Sequence, residues 1–296
     1  MIVVGQARGR FGNRLTLYAH VLAHAIDCGE PVLHADFADY SRHLEHVEQG
    51  LYFDPRSNSW RRPASPAVHK YCKGTIRRLA RSDWLETQRR GPIEVLTAET
   101  PATWVDLDRL GERRRSRVVI LNGYYFRAHG ALRRHEQRVQ SVLQIRKAHR
   151  DAALKVLGGA RSNWDVVVGV HIRHGDYQTW QGGKYFFSLD EYVAMMHEFR
   201  ERRSSERVGF VVCSDSEWTP GDFPELDVVI GPGHLASDLE ALAQCDLIIG
   251  PPSSFSRWAS FSGSTPLCAV ERGTVDLSED GFSLEHSEPW VFDTDR

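Results

Sequence analysis

The eight-residue run Asp165-Val166-Val167-Val168-Gly169-Val170-His171-Ile172 constrains this chain more than any other segment. A continuous apolar run of that length, without polar alternation, belongs in a strand buried on both faces. Runs of the same kind follow at residues 208–212, 227–230, 247–249 and 266–270, and helix-length gaps separate them. Ser188-Leu189-Asp190-Glu191 is a capping box that opens one helix, with Tyr192, Val193, Met196 and Phe199 turned inward. Two more helices are expected to start near Ser237 and Ser254. Strands alternating with helices predict an α/β domain with an open parallel sheet, its ligand site beyond the carboxyl ends of the strands.

The first half starts the same way. Met1-Ile2-Val3-Val4-Gly5 reads as a strand, followed by the glycine-punctuated loop Ala7-Arg8-Gly9-Arg10-Phe11-Gly12-Asn13. A helix is expected from about Arg14 to Cys28, capped by Asn13 and stopped by Gly29, and then a strand at Pro31-Val32-Leu33. Val118-Val119-Ile120-Leu121 is a further strand, and helices dominate residues 132–157 until Gly158-Gly159 ends them. Residues 37–99 show little periodicity, and no element is assigned there. A chain of 296 residues accommodates two cores. The expected division is an N-terminal domain at 1–158 and a C-terminal domain at 159–296.

No basic stretch followed by an apolar segment precedes the opening strand, so no signal peptide is expected. The apolar runs are strand-sized, which predicts no transmembrane segment and leaves peripheral membrane association open. Cys28, Cys72, Cys213, Cys245 and Cys268 are scattered and odd in number, the pattern of reduced thiols in a cytoplasmic protein without a zinc framework. The formal net charge of -2 gives no electrostatic reason to bind nucleic acid. Arg113-Arg114-Arg115, Arg117 and Arg133-Arg134 have no stacking platform beside them and read as solvated faces.

Chemistry concentrates where the central strand ends, in His171-Ile172-Arg173-His174-Gly175-Asp176. His171 and Arg173 share a strand face, and Arg173 offers a planar fork of donors suited to phosphate. Gly175 allows a sharp turn or close approach to a ligand. Ser253 and Ser254 stand where a strand gives way to a helix, so free backbone N–H groups there suit an anion. On residues alone, Ser253, Ser254 and Asp238 serve equally well as helix caps, and Phe255 and Trp258 as core aromatics.

Three segments together resemble a known family. His-x-Arg-x-Gly-Asp at 171–176 is similar to the signature of the α1,2-fucosyltransferases, relatives of the α1,6- and protein O-fucosyltransferases. Gly9-Arg10-Phe11-Gly12-Asn13-Arg14 resembles their N-terminal Gly-x-x-Gly-Asn-Gln loop, with Arg14 in place of Gln. Asp238-Leu239, with Ser253-Ser254-Phe255-Ser256-Arg257-Trp258, resembles their C-terminal block, with Pro251-Pro252 in place of a polar lead-in. The resemblance implies a GT-B arrangement of two Rossmann-like domains facing a cleft, with GDP-fucose in the C-terminal one. It further implies inverting transfer to a galactose-containing glycan acceptor, with neither metal nor cofactor. By position, Arg173 would bind the β-phosphate, His171 and Asp238 the guanosine, and the backbone at Ser253, Ser254 and Phe255 the diphosphate. Gly12 and Asn13 would face the donor. Asp176 is the candidate base or orienter, and equally a loop carboxylate paired with Arg173.

Two rival readings accompany this one. Arg173-His174-Gly175 also spells the Arg-His-Gly of histidine phosphatases, with His174 as nucleophile and His234 as its partner. The other rival is a nucleotide-sugar or glycan-binding protein without turnover.

Overall fold

The computed structural model describes residues 1–6, 9–34, 38–47, 52–61, 74–76, 78, 92–110 and 118–284. Cys72 and the arginines at 113–117 lie outside the described residues. The chain divides into two compact units, the first holding Met1–Arg146 and the second beginning at Lys147.

The first unit contains β1 (Ile2–Gln6), α1 (Phe11–Cys28), β2 (Val32–His34), α2 (Ala38–Ser41), β3 (Tyr52–Asp54), β4 (Ser59–Arg61), β5 (Ile93–Ala98), β6 (Val105–Asp106), β7 (Val118–Gly123), β8 (Phe126–Arg127), α3 (His129–Arg134) and α4 (Glu136–Val142). Its main sheet runs β4-β3-β2-β1-β7-β5. The core strands β2, β1, β7 and β5 are parallel, while β3 and β4 add an antiparallel hairpin at one edge. Asn58 in the left-handed region closes that hairpin. The sheet is therefore mixed rather than purely parallel, and the hairpin falls in the stretch the sequence leaves unassigned.

Helix α1 starts three residues before its expected start. Phe11 is buried, stacks on Tyr40 with centroids 5.2 Å apart and meets His43 edge-on at 5.7 Å, which draws the first turn into the helix. Asn13 consequently lies inside that turn and caps nothing; Arg10 holds the N-cap position without a side-chain cap. From Leu15 to Ile26 every residue is buried. Gly29 ends the helix in the left-handed conformation, as expected.

The second unit contains α5 (Lys147–Asn163), β9 (Val166–Ile172), α6 (Leu189–Arg202), β10 (Val208–Ser214), β11 (Val228–Ile230), α7 (Leu235–Ala243), β12 (Leu247–Gly250), α8 (Ser254–Gly263) and β13 (Leu267–Ala269). Helix α5 runs through Gly158-Gly159 instead of ending there. Both glycines are exposed, each costs a helix only about 1 kcal/mol, and the buried Leu157 and Ala160 hold the backbone on the sheet. The expected boundary at 158/159 thus falls within a helix of the second unit.

The five strands are all parallel, in the order β11-β10-β9-β12-β13. All seven residues of β9 are buried at the centre of this sheet. The capping box on α6 forms as expected: the Glu191 N–H donates to Ser188 Oγ at 3.3 Å and the Ser188 N–H to Glu191 Oε2 at 2.7 Å. Tyr192, Met196 and Phe199 then enter the core with Phe210 and Val212. The strand order reverses between β9 and β12, and there the connections leave to opposite faces and open a crevice at the carboxyl ends. No described helix is long and apolar enough to cross a membrane.

Candidate functional site

The crevice between β9 and β12 is lined by the two segments that carry the sequence signals. Gly250, at the end of β12, brings that strand against β9: a Cβ there would lie 2.9 Å from the Cβ of His171 and 3.2 Å from its carbonyl oxygen. Pro251 and Pro252 lead from the strand into Ser253, whose Oγ accepts the Ser256 N–H at 3.1 Å and caps α8. The N–H groups of Ser254 and Phe255 open the first turn, where a helix offers donors and a positive dipole end to an anion.

His171 is 6% exposed, with Nδ1 2.7 Å from Ser256 Oγ and its ring 5.0 Å from that of Phe255. Burial, with a further push from Arg173, lowers its pKa to about 3, so the imidazole is neutral and acts as a fixed polar wall. Arg173 follows where β9 ends. Its Nε and Nη2 donate to Asp176 at 3.0 and 2.8 Å, and its guanidinium lies 4.6 Å from the centroid of the buried Tyr177 ring. Asp176 takes one edge of the fork and Tyr177 one face, which fixes the guanidinium at the end of β9.

Asp215, just after β10, is a residue the sequence reading missed. Its Oδ1 accepts the His174 N–H at 2.9 Å and the Gly175 N–H at 3.5 Å, fixing the turn that presents Arg173. A Cβ at Gly175 would fall 2.7 Å from Asp215 Oδ2, so a larger residue there would push that carboxylate aside. No motif marks Asp215; the only available signal was a carboxylate at the end of a neighbouring strand, a position that ligand sites favour.

Asp238 lies one strand further along, in the first turn of α7. The Gly233 N–H donates to its Oδ1 at 2.8 Å, and the Cys213 thiol lies 3.6 Å from its carbonyl oxygen. Burial raises the carboxyl pKa to about 6, against the opposing pull of the Gly233 and His234 N–H groups. His171, Arg173, Asp176, Ser253, Ser254 and Phe255 therefore converge at the switch point, with Asp238 beside them along the sheet edge. Gly12 and Asn13 belong to the first unit: Gly12 is buried in the first turn of α1, and the Asn13 amide lies over Gly9. Arg14 donates from Nε to the Gly9 carbonyl at 3.2 Å. Trp258 is a core residue at 1% exposure.

The phosphatase arrangement does not form. His174 Nε2 is 2.8 Å from the Phe187 carbonyl oxygen, and the ring is wedged against Phe186 and Trp218. His234 caps α7 and stacks on His149 at 4.5 Å. The two histidines follow β9 and β11 with β10 between them, two strand spacings or about 10 Å apart along the sheet edge. On α3, Arg134 pairs with Asp27 at 2.9 Å, as suits a solvated helix face.

A family model described as glycosyl transferase family 11 matches residues 120–274, just over half of the chain. No curated protein matches the sequence. Solved structures do match over nearly the whole length. A mutant of Arabidopsis thaliana FUT1 in complex with GDP superposes with a TM-score of 0.58 at 10% identity, covering 95% of this chain and 73% of that one. POFUT1 in complex with GDP-fucose gives 0.53 at 13% identity, covering 89% and 94%. NodZ alpha-1,6-fucosyltransferase soaked with GDP-fucose gives 0.52 at 18%, covering 93% and 97%. At such identities the likeness establishes the fold: the expected GT-B-like α/β architecture, with two Rossmann-like units.

Proposed function

The chain belongs to glycosyl transferase family 11, and on that premise we propose that it transfers fucose from GDP-fucose, with inversion, to a hydroxyl of a galactose-containing glycan in an α1,2 linkage. One observation carries the reading: the Arg173 fork and the N-terminus of α8 meet at the reversal point of the second sheet. In the reaction the acceptor hydroxyl attacks the anomeric carbon as the bond to the β-phosphate oxygen breaks. The hydroxyl proton passes to solvent water, and GDP departs with the negative charge. Arg173 Nη1 and the N–H groups of Ser254 and Phe255 are the fixed donors for that charge, and fixed donors need no reorganisation as it develops. Asp176 orients the guanidinium; a carboxylate held along the Arg fork serves this role better than that of a base. With the charge borne by these donors, the proposed chemistry uses no metal and no cofactor. The solved relatives bound to GDP and GDP-fucose support the donor class.

A thermal-shift titration in EDTA with GDP, GDP-fucose, GDP-mannose, UDP-galactose and phosphate tests this reading. GDP and GDP-fucose at 100 times Kd are expected to stabilise the protein by about 2.7 kcal/mol, a shift of several degrees, with UDP-galactose and phosphate inert. The absence of any guanine-nucleotide response would remove the donor assignment. Binding without transfer to any galactoside would instead make the protein a nucleotide-sugar binder.

Asp238 supplies a second test. As the proposed guanine contact, it must be ionised to accept the base's N–H groups. With a pKa of about 6 in the free protein, GDP affinity should weaken about 10-fold between pH 7 and pH 5. Calorimetry at both pH values would show it. Asp238→Asn should bind GDP more weakly at pH 7 and lose this pH dependence; an unchanged slope would place the guanine elsewhere.

A further inference from the structure

Immediately after the Arg173 turn the chain builds an aromatic cluster that no step above uses. Tyr177, Trp180 and Tyr185 form a triangle, with centroids 5.1 Å apart for Tyr177–Trp180, 5.4 Å for Trp180–Tyr185 and 6.1 Å for Tyr177–Tyr185. Tyr177 is buried beneath the Arg173 guanidinium, whereas Trp180 is 45% exposed. The loop that carries Trp180 and Tyr185 is held in a demanding shape: Gln181, Gly182 and Gly183 have φ of 48°, 68° and 78° in succession. Left-handed backbone at a non-glycine residue costs about 1 kcal/mol or more, and such strain collects where a site must be shaped. The rim of the cluster is polar. Lys184 lies 5.3 Å from the centroid of the Tyr185 ring and pairs with Glu271 at 2.5 Å.

An exposed tryptophan on a strained loop, with a charged rim, matches the surface of a pyranose, which has an apolar C–H face and outward hydroxyls. The cluster joins the phosphate site through Tyr177, which places Trp180 two ring contacts from Arg173. Contacts of 4.6 Å from Arg173 to Tyr177 and 5.1 Å from Tyr177 to Trp180 set the tryptophan beside the phosphate site. We propose that Trp180 and Tyr185 form the platform on which the acceptor's galactose ring stacks, with Lys184 and Glu271 reading its hydroxyls. This rests on the donor reading above and deepens it.

The probe is an array of galactose-terminated oligosaccharides overlaid with GDP-saturated wild-type, Trp180→Ala and Trp180→Phe proteins, with GDP binding measured by calorimetry on each. Trp180→Ala is expected to lower glycan binding about 10-fold, as loss of a contact-centre aromatic does, while GDP affinity stays within about 2-fold of wild type. Trp180→Phe, which keeps a ring, should retain most of the signal. Equal array signals for wild type and Trp180→Ala overturn the proposal, as does a wild type that binds no arrayed glycan. An Ala variant whose GDP affinity falls as far as its glycan binding overturns it too, because the platform would then serve the donor. A wild type that binds no GDP is the separate failure of the donor reading, and this inference falls with it.

Discussion

Arg173→Ala is expected to lower kcat/KM for transfer from GDP-fucose by about 10²–10³, the cost of removing one preorganised donor from a developing oxyanion. The effect should fall mainly on kcat, because the leaving group carries more charge in the transition state than in bound GDP-fucose. Arg173→Lys should recover little, since a point charge cannot hold Asp176 along one edge while presenting Nη1 from another. The fold should survive: what the variant loses structurally is a pair between the mostly buried Arg173 and the half-exposed Asp176, and the stack on Tyr177. Together these contribute about 2 kcal/mol, so Tm should move by no more than about 8 °C. Steady-state kinetics together with a melting curve separate the two effects. A rate within a factor of three of wild type would show that the charge is carried elsewhere.

The first unit is expected to lose stability more steeply than the second between pH 7 and pH 5, because each buried neutral imidazole removes up to about 1.4 kcal/mol per pH unit. His20 and His34 are buried in the first unit, and desolvation holds His34 down to about pH 3 and His20 well below its ordinary value. A base with a depressed folded pKa binds its proton more readily in the unfolded chain. The stability it contributes is therefore full above pH 6.5 and is lost as pH falls through the window down to about 3. Two such groups remove up to about 2.7 kcal/mol per pH unit. In the second unit His171 acts in the same direction, but Asp238 opposes it. Its raised carboxyl pKa lets the folded state bind the extra proton between about pH 6 and 4, which adds stability as pH falls. Calorimetry from pH 7 to pH 5 should show the earliest transition dropping steeply. His34→Phe fits beside Tyr18 and Trp60 and should halve that slope; a transition flat across this range would show that these imidazoles titrate normally.

The glycosyltransferase architecture was legible because its signals are local. Seven consecutive buried positions mark β9, Ser188 and Glu191 cap α6 from three residues apart, and Ser253 caps α8 just beyond its strand. Each is a short-range pattern that the chain satisfies with its own neighbours, and the candidate segments at 171–176 and 253–255 stand out in the sequence for the same reason. Tertiary structure decided whatever depends on which strand lies beside which. Asp215 reaches the Arg173 turn only because β10 pairs with β9 in the register that sets Ser214 against Ile172. Asn13 lost its expected cap because Phe11 found Tyr40 and His43. Helix α5 crossed two glycines because Leu157 and Ala160 had a sheet to cover. Local propensities differ by about 1 kcal/mol or less, and burying one large apolar side chain is worth about 1.5–3 kcal/mol, so packing overrode the local signal at these places.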